Sequence, residues 1–134
     1  MSPRDVARVL AAGRIAIGAG LLAAPRLSLG MWIGRDAAAC AVAPVGRALG
    51  VREVVLGAML LHTIDRPQAG PRWLRAVAAC DAVDLVATVA AGRALPAYAR
   101  PLIVAMAAPA TAGQLWAAGA LAAAQPQEPA DATG

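Results

Sequence analysis

Four apolar stretches, Val6–Ala24, Val45–Ile64, Trp73–Gly92 and Pro101–Ala124, recur along the chain, each 19 to 24 residues long. The last contains no charged side chain. As a helix it rises about 36 Å, enough to cross a bilayer hydrocarbon core of about 30 Å. The separators carry turn and breaker residues: Pro25-Arg26 after the first stretch, Asp65 to Arg72 after the second, and Arg93 to Pro96 with Arg100-Pro101 after the third. The pattern therefore predicts an all-α, four-helix transmembrane bundle, one domain over residues 1–124 with the lipid bilayer as its solvent. Residues 125–134 are polar, carry two prolines and are expected to form a disordered tail.

The first connection, Pro25 to Pro44, is long and not plainly polar. Leu27, Leu29, Met31, Trp32 and Ile33 sit among Arg26, Arg35 and Asp36. A segment lying in the headgroup region, anchored by Trp32, is expected there. Trp73 and Tyr98 also fall at span edges, as an interfacial aromatic belt places them, whereas Trp116 lies deeper and is expected between helices.

Two rival readings start from the same pattern. Arg4, Arg8 and Arg14 followed by Ile15–Ala24 have the layout of a secretory signal, but Pro25 directly follows the single small-residue cleavage point. A water-soluble helical bundle requires a polar face on each helix, and the fourth stretch offers only Thr111 and Gln114.

Once lipid is the solvent, the informative residues are the charges inside the spans: Arg14, Arg52, Glu53, Asp81 and Asp84. A charge at a helix centre disfavours insertion by about 2.5–3.5 kcal/mol. The third stretch carries two acids near its middle, so it needs partners within the bundle, and Arg14 and Arg52 are the candidates. All five charges lie near the centres of their stretches and hence near one depth. Contacts of Asp81 with Arg14, or of Asp84 with Arg52, are both sterically reasonable from sequence. Two arginines against three carboxylates leave one excess negative charge, which admits two readings: a structural salt-bridge network, or a site that takes up a proton or cation.

Small residues accompany these charges. Glu53 shares a stripe with Gly46, Gly50 and Gly57, and Arg14 shares one with Ala7, Ala11 and Gly18. Such spacing lets helix backbones approach closely in lipid. The first two stretches also align without a gap at an offset of 39, which sets Arg14 opposite Glu53 and Gly18 opposite Gly57. An internal repeat of this kind pairs opposite charges on two antiparallel helices.

Composition narrows the remaining chemistry. The chain of 134 residues is 60% hydrophobic with a net charge of +4. Its twelve basic residues are all arginine, spread singly and with few aromatics, a pattern that flanks membrane spans rather than binding nucleic acid. Cys40 and Cys80 are too few for a disulfide framework, and Cys80 reads as a small buried thiol. His62 is the only histidine and Ser2 and Ser28 lie outside the spans, so neither a metal site, a catalytic set nor a cofactor cradle is expected. Flanking arginines divide five against five between the two ends of the spans, which leaves the orientation undetermined.

The ordered set Gly13-Arg14, Gly18, Leu22, Pro25, Trp32-Ile33-Gly34, Gly46-Arg47, Gly50-Val51-Arg52-Glu53, Leu56-Gly57, Trp73, Asp81 and Asp84 resembles a family of small four-helix membrane proteins, of no assigned activity, from high-GC Gram-positive bacteria. A looser similarity links it to the DoxX-like membrane proteins. The resemblance implies a four-helix fold in the cytoplasmic membrane and, through DoxX, a redox or quinone-associated subunit as one functional alternative. The leading expectation is a non-enzymatic membrane component organised around the charged network, an accessory to a membrane complex or a homo-oligomer. A small proton- or cation-coupled transporter is the other alternative.

Overall fold

The computed structural model describes residues 1–125; the expected disordered tail, apart from Gln125, lies outside the described residues. Every regular element among the described residues is helical. Helices α1 (Pro3–Ala23), α3 (Val42–Thr63), α4 (Ala69–Ala90) and α5 (Ala99–Ala123) are long, and α2 (Pro25–Ile33) is short. The predicted stretches coincide with the long helices to within a few residues at each end. Helix α1 opens on a capping box, in which the Asp5 amide donates to Ser2 Oγ at 3.2 Å and the Ser2 amide donates to Asp5 Oδ2 at 3.0 Å. Pro25 ends α1 and begins α2, where its missing N–H costs nothing.

The connection after α1 is itself regular. It folds as α2 followed by a 3₁₀ segment, Gly34–Ala38, and packs onto the bundle. Trp32, Ile33, Val42 and Leu49 close over Leu21, Leu29 and Ala37. Trp32 is thus half-buried in an apolar cluster. Gly34 has a φ of 62°, a conformation open to glycine, and reverses the chain at the end of α2.

The long helices form a ring. Helix α1 packs on α3 and α5, and α4 packs on α5 and α3. The buried stripe of α1 is Ala7, Ala11, Arg14, Gly18 and Leu21, and that of α3 runs Gly46, Gly50, Glu53, Gly57 and Leu60. Both alternate steps of four and three, the seam of a left-handed helix pair, and each position of one is the other's shifted by 39. The two helices run antiparallel with their backbones nearly touching. A Cβ on Gly18 would lie 2.7 Å from the Gly50 carbonyl oxygen, and a Cβ on Gly57 would lie 2.8 Å from the Ala11 carbonyl oxygen. Gly46 serves a different neighbour, since its Cβ would meet Pro25 and Leu29 of α2 at 2.8 Å.

Along the ring axis, one apolar layer holds Ala7, Ala11, Leu60, Leu74, Val77 and Ala117, and Trp73 packs half-buried against it. The cluster around Leu21 and Leu29 forms the other layer. Between them, buried, lie Arg14, Glu53, Asp81 and Gln114. Large apolar side chains point outward instead: Val9, Ile17, Val51, Val55, Met106 and Leu115 are exposed, and Val83 and Val86 are each 66% exposed. Trp116 belongs to this outer face at 53% exposure, so the expectation that it packs between helices is wrong. The residues that follow it in the chain, Ala117 and Ala118, take the inward positions with Gln114 and Leu121.

Two helices, α1 and α5, are long and apolar enough to cross a membrane, with mean hydropathies of 1.6 and 1.3 over their best windows. The expectation of four such spans is met only in length by the other two. Helix α3 carries Arg47, Arg52 and Glu53, and α4 carries Arg72, Arg75, Asp81 and Asp84, which lower their apolarity. Only 28% of the α1 window and 17% of the α5 window are buried, whereas the core helix of a soluble protein is mostly buried.

The α1–α3 contact sets an expected outcome. Gly57→Leu forces a side chain against the α1 backbone, and the loss should be about 1–3 kcal/mol. Gly119, with open space around it, should accept leucine with little change. Thermal unfolding in detergent compares the two, and equal losses would show that the α1–α3 backbones are not in contact.

Candidate functional site

Each long helix contributes one side chain to the polar layer. Arg14 sits midway along the buried stripe of α1, and its guanidinium reaches two neighbours. One terminal nitrogen donates to the Glu53 carboxylate on α3. The other donates to both oxygens of Asp81 on α4 at 2.5 Å. Gln114 of α5 completes the set, its amide nitrogen donating to Asp81 Oδ2 at 2.9 Å. Arg14 is 7% exposed and Gln114 1% exposed, so water gives these groups little help. Gln114 faces inward because it shares a stripe with Ala117, Ala118 and Leu121.

Arg52 and Asp84 form a separate pair at 3.0 Å, each side chain about a third exposed at 34% and 35%. The pairing that the sequence left open is thus Asp81 with Arg14 and Asp84 with Arg52. Glu53 joins Arg14, its counterpart at the offset of 39. The two groups approach where Arg52 stands 4.0 Å from Glu53 Oε1. Asp84 also fixes the neighbouring turn, its main-chain carbonyl accepting from Thr88 Oγ1 at 2.8 Å. A cavity of about 230 Å³ between α2 and α4 exposes Asp84, with Trp32, Ile33 and Thr88 on its walls.

The charge balance of the inner group is uneven. One guanidinium faces two carboxylates, a net of one negative charge among residues screened from water. Two polar atoms of the same layer, Arg14 Nε and Gln114 Oε1, have no hydrogen-bond partner among the described residues. The layer can hold helices in register and can hold charge.

The remaining residues singled out from sequence are scattered. Gly18, Gly50 and Gly57 lie beside the network at the α1–α3 contact, and Gly46 lies under α2. Tyr98 is exposed at the start of α5, its hydroxyl donating to the Gly30 carbonyl at 3.4 Å. His62 Nε2 lies 2.8 Å from a guanidinium nitrogen of Arg66, at the far end of α3. Cys40 is exposed and Cys80 half-buried. No group of three His, Cys, Asp or Glu among the described residues is arranged to hold a metal ion.

Gln114 is the site residue that sequence reasoning passed over. It is one of only two polar residues noted in the charge-free stretch, and amide side chains in membrane helices hydrogen-bond across to neighbouring helices. Compared with known proteins, the chain matches no family model, no curated protein and no solved structure.

The uneven charge ranks the substitutions. Arg14→Ala strands two buried carboxylates and should cost about 3–5 kcal/mol or more. Asp81→Ala leaves Arg14 with Glu53, a balanced pair, and should cost less. Arg52→Ala breaks a pair whose side chains are each about a third exposed and should cost less than Arg14→Ala. Thermal unfolding of the three variants checks the order, and a loss at Arg52 matching that at Arg14 would contradict it.

Proposed function

We propose that the chain is a multi-pass protein of the cytoplasmic membrane, a four-span helical bundle that acts as a non-enzymatic component of a membrane assembly. The observation that carries this reading is the inverted distribution of polarity. Charges and an amide lie in the middle of the interior, between its two apolar layers, while valines, isoleucines and leucines stand exposed on the outside of the same helices. In water this arrangement exposes apolar surface and buries charge, both costly; in lipid it does the reverse. Helices α3 and α4 are poor spans in isolation, and their pairing with α1 and α5 through the network offsets their charges. The family resemblance points the same way. As an accessory, the bundle presents an apolar outer surface to a membrane-protein partner or to a second copy.

The protein is expected to remain in the membrane pellet after carbonate washing and to require detergent for extraction. Recovery of a monodisperse, detergent-free protein from the soluble fraction would refute the membrane reading.

A specific observation favours a second reading, a small proton- or cation-coupled carrier. The inner group has one negative charge in excess, and the Arg52–Asp84 pair connects it to the cavity lined by Trp32 and Thr88. On this reading Glu53 and Asp81 take up the coupling ion and Asp84 is the entry. Proteoliposomes loaded with a pH-sensitive dye should show an ion flux that Glu53→Gln abolishes while the fold persists. Equal flux in empty liposomes and in those carrying the protein would leave the accessory role alone.

A further inference from the structure

A cavity lies away from the charged network, at the turn between α4 and α5. Its volume is about 700 Å³. Val89 of α4, Leu95 and Pro101, and Val104 of α5 form apolar walls, and the charged groups lining it are Arg93 and Arg100. Neither arginine is within salt-bridge distance of a carboxylate among the described residues, and no acid lines the cavity. Arg26, Arg35, Arg47, Arg66, Arg72 and Arg75 also lack such partners among the described residues, and Arg93 and Arg100 share this cavity.

The order of polarity within the cavity is that of an amphiphile. Arg93 and Arg100 sit at the ends of the helices, where a headgroup layer begins. Val89 lies one turn down α4 from Arg93, and Val104 one turn down α5 from Arg100. Both valines are partly exposed on the outer face, so the apolar wall continues into the lipid-facing surface. Two guanidiniums present planar donor forks to a phosphate, which suits them better than a neutral zwitterion with its own ammonium beside it. A water-soluble anion would gain the two charges and leave the apolar walls wet.

We propose that this cavity binds an anionic phospholipid, with the phosphate between Arg93 and Arg100 and an acyl chain along Val89 and Val104. The proposal rests on the membrane reading. It is separate from any role of Glu53 and Asp81, which face the interior.

The full-length protein in mild detergent is titrated with phosphatidylglycerol, phosphatidylcholine or inorganic phosphate while its thermal transition is followed. Phosphatidylglycerol should raise the transition temperature, and the other two should not. The R93Q/R100Q variant should need on the order of thirtyfold more phosphatidylglycerol for the same shift. R72Q/R75Q, which removes two arginines at the other end of α4, should respond as the wild type does. If the double variant fails to fold, Arg93→Gln alone should need about fivefold more. Equal responses to the two lipids, a full response to inorganic phosphate, or equal weakening in both double variants would each overturn the proposal. Failure of the membrane reading is seen separately, as a wild-type protein that is stable with no detergent at all.

Discussion

A guanidinium enclosed by helices has to be neutralised where it stands, because little of it is open to water that could share the charge. Arg14 meets this requirement with carboxylates from two other helices, and through Asp81 with an amide from a fourth. The helix that stands opposite α1 across the ring follows from that requirement. A bundle that placed α4 away from α1 would bury Asp81 and Arg14 apart, each uncompensated in a medium of low dielectric constant. The apolar contacts cannot enforce such a choice, since alanine and valine pack almost equally well against one another in any helix order.

The network sets which helices meet, and small residues set how closely. Arg14 bridges to Glu53 at a helix pair where Gly18 and Gly57 remove the side chains that would hold the backbones apart. In lipid the solvent is as apolar as the helix surface, so close packing and interhelical hydrogen bonds supply the association that hydrophobic burial supplies in water. The half-exposed Arg52–Asp84 pair belongs to a different regime. It ties α3 directly to α4 beside the cavity under α2, and neither of its side chains is enclosed as that of Arg14 is.

Much of this was legible in the chain. Span lengths and breaker residues located all four long helices, and the depth of each charge within its stretch drew attention to Arg14, Arg52, Glu53, Asp81 and Asp84, which the structure divides into an enclosed group around Arg14 and a separate Arg52–Asp84 pair. The partners of each charge were not legible, because depth alone does not say which of two arginines an aspartate faces; that depends on helix rotation. Helix α2 escaped notice because a nine-residue amphipathic turn between prolines has no long periodicity to reveal it. Trp116 was misplaced for a related reason. An aromatic residue deep in a span fits either the lipid or a helix contact, and only the stripe through Gln114, Ala117 and Leu121 shows which face turns inward.

The shift of 39 residues that carries the buried stripe of α1 onto that of α3 makes the pair a two-fold arrangement within one chain. The contact of Gly18 on Gly50 recurs as Gly57 on Ala11, and Arg14 meets Glu53 where the axis passes. A residue on a two-fold axis always meets its own counterpart. Two copies of α1 associating in this geometry would bring arginine against arginine, and two copies of α3 would bring glutamate against glutamate. The stripes themselves are equally suited to pairing with their own kind. The single difference in charge at the axis therefore makes the hairpin within the chain the favoured pairing, and turns each helix away from its twin in a neighbouring molecule.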